Sequence, residues 1–419
     1  MNVTLNPFVP NGTVCAPPSK SDAHRAIICA ALSGGVCTIA PIALSDDICA
    51  TISCVEKLGA VTKMENGTLT VDGTDVFSKK HATLDCGESG STLRFLIPVA
   101  AVGGVDAIFI GRGRLPERPI GVYTDMFPAR GVTCDTQGGL PLRISGKLQS
   151  GVYRVAGDVS SQFITGLLLA LPLLRDDSDI LLTSPIQSKG YINMTIRTMA
   201  KFGVEVDILD NGWHIRGGQS YVPSHYVTDG DWSQAAFFLV AGAVAGDVEV
   251  RNANIDSAQG DRCIASILRE FGAEVIQNGD SLRVRKAPLK SVEIDASQIP
   301  DLVPVLAVCA CFAEGTTRIV RAERLRIKES DRLQTTARLL RSLGGEVKEL
   351  PDGLEITGVG RLYGGFAEGC NDHRIVMSAA VCAAGAKEKI LCTDAMSINK
   401  SYPDFYGDYA KIGGNATLE

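Results

Sequence analysis

One motif recurs six times along this 419-residue chain: a short polar cluster followed at once by a run of small apolar residues. The copies are SKSDAHRAIICAA, GESGSTLRFLIPVAA, GDVSSQFITGLLLA, GDWSQAAFFLVAGA, QIPDLVPVLAVCA and CNDHRIVMSAAVCAA. With Ser21, Ser91, Ser161, Ser233, Asp301 and Asp372 as markers, the steps are 70, 70, 72, 68 and 71 residues. Self-similarity at a fixed period means that one supersecondary unit is built repeatedly and packed on its copies. Six such periods nearly exhaust the chain.

A second marker runs in step. Helix-like segments end in Gly and pass into a strand at Gly59, Gly131, Gly203, Gly272, Gly344 and Gly413, with steps of 72, 72, 69, 72 and 69. Gly is favoured just past a helix because it enters the left-handed region without a Cβ penalty. Alternating runs joined by turn residues follow, as in VTKM-ENG-TLTV, VEVDIL-DNG-WHIR, AEVIQ-NGD-SLRV and GEVKEL-PDG-LEIT. Asn-Gly and Asp-Gly between such runs signal hairpins. Each repeat therefore reads as strand, helix, strand, helix and two strands, an α/β unit. Only six residues follow Gly413, too few for a hairpin, so the strand-like residues 1–16 are expected to complete the last repeat. Three repeats per domain then place one domain at 18–228 and another at 1–17 with 229–419. A single six-fold ring with joined termini is the other arrangement the repeats allow.

Composition narrows the partners. The formal net charge is −6, with 41 Lys and Arg against 47 Asp and Glu, which gives no global basic field for nucleic acid. The longest nearly uninterrupted apolar runs, 163–174 and 235–246 among them, reach 12 residues, short of the roughly 20 that span a bilayer. The first residues show no basic and apolar leader pattern. Thirteen Cys without any CxxC lie mostly among apolar residues and read as reduced thiols, so a cytoplasmic location is expected. The five His lack metal-site spacing, so no metal is expected.

The polar clusters sit where helices begin. Helix starts leave N–H groups unpaired and carry partial positive charge, so they take Ser and Asp caps and also bind anions. Capping explains the Ser and Asp but not the cations beside them: Lys20, Arg25, Arg94, Arg118, Lys328, Arg332, Arg374 and, in the sixth unit, Lys400. A cation at a helix N-terminus is unfavourable unless an anion is shared. The set points to polyanionic small molecules. GDWSQ and its neighbour Asp256 lack cations and read as hinge and capping elements.

The motifs KSDAHR, GESGSTLR, GRGRLPERPIG, SSQF, SKGY, IPD, RIKESDR, NDHR and NKSYPDF, in this order over essentially the whole chain, resemble the EPSP synthase (3-phosphoshikimate 1-carboxyvinyltransferase) family. The resemblance implies two inside-out α/β domains, each of three βαβαββ units, with the active site in the inter-domain cleft. It implies transfer of the enolpyruvyl group of phosphoenolpyruvate to the 5-hydroxyl of shikimate 3-phosphate, on the way to chorismate and the aromatic amino acids. Addition and elimination pass through a tetrahedral ketal phosphate, which calls for acid/base groups and no metal, cofactor or covalent nucleophile. The expected partners are the two small substrates, with no nucleic acid or membrane, and the chain is expected to act as a monomer.

Carried over by position, Lys20, Ser21, Arg25, Ser160, Ser161, Gln162 and Ser188 resemble the shikimate-3-phosphate ligands, with Asp301 and Lys328 beside them. Hydroxyls suit phosphate oxygens, which accept several short hydrogen bonds at once. Lys20, Gly90, Arg118, Gln162, Arg332, Arg374 and Lys400 match phosphoenolpyruvate positions. Asp301 resembles the base for the hydroxyl, Glu329 the donor to the methylene, and Lys20 a further catalytic residue. Ser160, Ser161 and Asp301 could instead be helix caps, and Glu329 a first-turn acid. Glu88, Phe95 and Arg324 depart from the family's common pattern and leave the response to the analogue glyphosate open. Two other functions remain conceivable. A UDP-N-acetylglucosamine enolpyruvyltransferase would carry a reactive Cys in the loop that here reads GRGRLPERP. A non-catalytic repeat scaffold would have no need of the IPD…KES constellation.

Overall fold

The computed structural model describes residues 1–419. The chain forms two compact units with separate apolar cores: a continuous unit of residues 18–228, and a split unit of residues 1–17 with 229–419.

Each repeat supplies two helices. They are α1 (Lys20–Ala31) and α2 (Asp46–Leu58), α3 (Gly90–Gly103) and α4 (Gly121–Met126), and α5 (Ser161–Ala170) and α6 (Lys189–Lys201) in the continuous unit. The split unit has α7 (Trp232–Ala245) and α8 (Ile264–Phe271), α9 (Val303–Ala310) and α10 (Arg332–Ser342), and α11 (His373–Ala383) and α12 (Phe405–Lys411). The first helix of each pair is the small-residue apolar run. Every residue of α9 and α11 is buried, as is all of α7 except its last. In the split unit these three pack on one another. A helix that is apolar all round belongs inside a core. The second helices bury one face only: in α8, Ile264, Ile267, Leu268 and Phe271 at helical spacing. Close packing of the inner helices needs small residues. A Cβ on Gly166 of α5 would lie 2.3 Å from the carbonyl oxygen of Arg94 in α3.

The six sheets lie outside these helices, with strands that alternate buried and more exposed residues, as in Thr68–Asp72 and Ser281–Arg285. Each has four strands in one order. In the second repeat, His81–Asp85 runs parallel to Asp106–Ile110, which is antiparallel to Leu142–Gly146, itself paired with Val132–Asp135. The six glycines marking the helix ends all have positive φ, between 80° and 119°.

The terminal strands depart from the expectation that residues 1–16 finish the last repeat alone. Val3–Asn6 does so, lying between Ile390–Cys392 and Asn415–Leu418. Asn11–Cys15 instead pairs with Asp247–Arg251 of the fourth repeat. In the same way, His225–Val227 pairs with Val36–Ala40 of the first repeat. The reason is where the chain changes unit. It enters the continuous unit immediately before α1 and leaves it immediately before α7, so the first and fourth repeats both begin without an opening strand. An unpaired sheet edge is a liability, and the last strand before each crossing is on hand to fill it.

Candidate active site

In the continuous unit the functional side chains gather at the N-termini of α1, α3, α5 and α6. Ser19 caps α1, Ser89 caps α3 and Ser160 caps α5, each through its hydroxyl oxygen. Ser160 is thus a cap in fact, and Ser21 and Ser161 lie within the first turns that the caps open. Ser188, buried, precedes α6 in the left-handed region at φ 54° and does not cap it with its side chain.

Arg25 ties these helices together. Its Nε donates to Thr195 Oγ1 at 2.8 Å, and its terminal nitrogens donate to the carbonyl oxygens of Tyr191 and Ser21 and to Thr165 Oγ1. The guanidinium lies 5.0 Å from the Phe95 ring centroid. All its hydrogen-bond partners are uncharged, and no carboxylate pairs with it. Burial therefore dominates and pushes its pKa down to about 10, although Asp22 and Tyr191 oppose the shift. This is a cation under-compensated by its own protein.

Arg94 joins α3 to α5 by donating to Gln162 Oε1 at 2.6 Å, while Gln162 Nε2 donates to Ser91 Oγ at 2.9 Å. It also donates to the Pro119 carbonyl oxygen, next to Arg118. Gly90 and Arg118 meet directly, since a Cβ at Gly90 would come within 3.0 Å of the Arg118 guanidinium. Lys20 Nζ pairs with Asp47 Oδ2 at 2.6 Å. Behind it, buried His24 meets Thr51 at 2.7 Å, and Thr51 meets Thr92 at 2.7 Å. Burial first, then Lys20 and Arg25, hold His24 well below its ordinary pKa. Asp47 and this chain of hydroxyls were not legible as site elements, because each sits inside an ordinary helical pattern.

The split unit is organised around one arginine. Arg332, the first residue of α10 and fully buried, spreads its guanidinium across three carboxylates. NH1 donates to Asp301 Oδ1 at 2.9 Å, NH2 to Glu329 Oε2 at 2.7 Å, and Nε to Asp372 Oδ2 at 2.9 Å. Burial lowers the Arg332 pKa, but Asp372, Glu329 and Asp301 outweigh it and hold the group above its ordinary value. Arg374 NH2 pairs with Asp301 Oδ2 at 3.2 Å, and Lys328 Nζ lies 3.9 Å from Asp301 Oδ1. For Asp301, burial pushes the pKa up; Arg374, Lys328 and Arg332 together overcome it and hold the carboxyl far below its usual range. Lys400 Nζ donates to the Asn371 carbonyl oxygen at 2.6 Å.

Asp301 makes no side-chain cap, and Glu329 precedes α10 rather than lying in its first turn. In the sequence Asp372 marks only a helix start. It does cap α11 through the Arg374 N–H, and it also holds Arg332 and accepts from Ser330 Oγ at 2.9 Å. The GDWSQ cluster caps α7 through Asp231, but it is not remote from cations: Arg374 NH2 donates to Ser233 Oγ at 3.0 Å. Thus Lys20, Ser21, Arg25, Gly90, Arg118, Ser160, Ser161, Gln162 and Ser188 belong to the continuous unit. Asp301, Lys328, Glu329, Arg332, Arg374 and Lys400 belong to the split unit.

Two units of three inside-out α/β repeats define a fold shared with solved enolpyruvyltransferases. An EPSP synthase of Acinetobacter baumannii superimposes with a TM-score of 0.82 at 24% identity, over 100% of both chains. The enolpyruvyl transferase NikO of Streptomyces tendae does so at 0.81 and 17% identity, over 99% of this chain and 98% of its own. The model of the EPSP synthase (3-phosphoshikimate 1-carboxyvinyltransferase) family matches residues 9–408. Among relatives, the 3-phosphoshikimate 1-carboxyvinyltransferase of Clostridium novyi is 44% identical over 99% of this chain and 98% of its own length. That of Clostridium kluyveri is 45% identical over 98% and 97%. The chain belongs to the EPSP synthase family.

Proposed function

We propose that the two clusters act on one pair of substrates, the continuous unit holding phosphate and the split unit moving protons. The activity is that of the family: the enolpyruvyl group of phosphoenolpyruvate passes to the 5-hydroxyl of shikimate 3-phosphate, with release of phosphate. On this reading Ser160, Ser161, Gln162, Ser188, Ser21, Arg25 and Lys20 hold shikimate 3-phosphate. Gly90, Arg118 and Lys20 receive the phosphate of phosphoenolpyruvate, and Arg332, Arg374 and Lys400 receive its carboxylate.

The Arg332 hub carries the mechanism. Its fork is already engaged by protein carboxylates, so a substrate carboxylate reaches it by taking the place of Glu329. Glu329, released from its cation and set beside a second carboxylate, then favours the protonated form. Asp301 takes the proton of the 5-hydroxyl as its oxygen bonds to C2, and Glu329 gives a proton to the C3 methylene. In elimination, the C2–O bond to phosphate breaks as a C3 proton returns to Glu329, and the departing phosphate carries away the proton that Asp301 took from the hydroxyl. The substrates' negative charges offset Arg374, Lys328 and Arg332, which raises the basicity of Asp301 when the hydroxyl is in place.

The test is phosphate release. Shikimate 3-phosphate with phosphoenolpyruvate should liberate phosphate stoichiometrically, and UDP-N-acetylglucosamine as acceptor should not; the reverse result overturns the reading. We further read the chain as a cytoplasmic monomer. Its thirteen cysteines are all unpaired, no helix is long and apolar enough to cross a membrane, and one chain supplies both clusters.

A further inference from the structure

We infer that Ser233 and Gln234, in the first turn of α7, are positioning residues for Arg374 and Lys400. The inference rests on reading those two cations as phosphoenolpyruvate ligands. Ser233 Oγ donates to Asp231 Oδ1 at 2.6 Å, which commits the hydroxyl proton and leaves its lone pairs toward Arg374. Arg374 NH2 donates into that oxygen at 3.0 Å, and NH1 reaches the Ser233 carbonyl oxygen at 3.5 Å and that of Asp301 at 3.1 Å. A guanidinium grips a carboxylate bidentately only when its plane is fixed. Here one serine touches both terminal nitrogens. Asp231 also accepts from the Gln234 N–H, so the helix cap and the orientation of the arginine share one carboxylate.

The next residue reaches the other cation. Gln234 Nε2 donates to Ser401 Oγ at 2.6 Å, and Ser401 closes the turn Ala395–Lys400 through its N–H to the Ile398 carbonyl oxygen. Gln234 is buried, and its own carbonyl oxygen has no partner. An unsatisfied buried acceptor is unfavourable to stability, so the amide is better explained by what its nitrogen holds than by packing. Both residues lie in a repeat with no site residue of its own, 141 and 167 positions from their partners.

Ser233→Ala and Gln234→Leu test the two halves, with Ser233→Thr as the conservative control that keeps the hydroxyl. Ser233→Ala should raise KM for phosphoenolpyruvate about ten-fold, as for loss of one hydrogen bond to a charged group, while Ser233→Thr stays near wild type. Gln234→Leu should raise that KM about three- to ten-fold without lowering Tm, because it also removes the unsatisfied acceptor. KM for shikimate 3-phosphate should move less than about two-fold in either variant. In an Arg374→Lys background, Ser233→Ala should add less than about two-fold, since the fork it holds is gone. An unchanged KM for phosphoenolpyruvate, or both KM values rising together with a fallen Tm, overturns the corresponding half. Full additivity with Arg374→Lys overturns the serine half. If Arg374→Lys itself leaves that KM unaltered, Arg374 is not a substrate ligand and the parent reading falls too. If Arg374→Lys raises it while Ser233→Ala does not, this inference falls alone.

Discussion

Arg25 and Arg332 are both buried and both lie in the N-terminal halves of helices, yet their units treat them in opposite ways. Arg25 is held by hydroxyls, carbonyl oxygens and an aromatic face, and its pKa is driven down to about 10. Arg332 is held by three carboxylates and driven above its ordinary value. A buried cation without an anion is a binding site awaiting charge. One saturated with carboxylates can be reached by a new anion only through exchange. At Arg25 the continuous unit therefore offers under-compensated positive charge, suited to a phosphate dianion. The split unit pairs Arg332 with its own carboxylates, and in the proposed mechanism exchanging those pairs moves protons.

The sharpest test of this division is Glu329→Gln. Turnover should fall about two to four orders of magnitude, the range of a positioned acid/base, while shikimate 3-phosphate still binds. Calorimetry in buffers of different ionisation enthalpy should also show that proton uptake on binding a phosphoenolpyruvate analogue, present in the wild type, is gone. Near-normal turnover with lost ligand binding would place Glu329 in the holding machinery instead.

A second comparison sets Arg332→Met against Arg25→Met. The first takes the guanidinium from buried Asp372 and partly buried Glu329, while Asp301 keeps Arg374 and Lys328, and should destabilise the protein by about 3–5 kcal/mol. The second removes an under-compensated cation, so Tm should fall far less while affinity for shikimate 3-phosphate drops by roughly one to two orders of magnitude. Equal losses of Tm, measured by calorimetry, would erase the distinction between the units.

The smallest expected effect is on acid stability. Asp372 is buried and Asp301 partly so, both with folded pKa values below the ordinary range; desolvation opposes this, and their cationic neighbours outweigh it. In acid the unfolded state therefore binds more protons. Their stabilisation is complete above about pH 4 and is lost progressively as pH falls below it. Each unit holds one of the two tryptophans, Trp213 in the continuous and Trp232 in the split unit. Between pH 6 and 3.5, the melting transition seen in Trp213→Phe protein, reporting Trp232, should drop more than that in Trp232→Phe protein. Coincident shifts would contradict the assignment of ionic balance to the split unit.

What the sequence disclosed follows from the range of each signal. The glycines at helix ends, the Asn-Gly turns and the all-apolar inner helices are local, and the periods of 68 to 72 residues expose them. Strand exchange was only half visible. A period locates a missing strand, but it does not say which of two open sheets a terminal segment will fill. Candidate site residues were legible where a cation stood beside a cap. Asp372 was hidden because capping already accounted for it, and Ser233 because its cation comes from another repeat.

The split unit has a consequence for synthesis. Its first two strands leave the ribosome before the rest of either unit, but Asn11–Cys15 must wait for Asp247–Arg251, and Val3–Asn6 for Asn415–Leu418. The continuous unit has all its strands once Val227 has emerged. At elongation rates of about 5–20 residues per second, the remaining residues take on the order of ten to forty seconds. During that time the nascent chain can carry a finished continuous unit and an unpaired N-terminal segment rich in β-forming residues. The unit whose strands appear first is the last to be completed, and chaperone engagement during translation is expected to concentrate on that waiting segment.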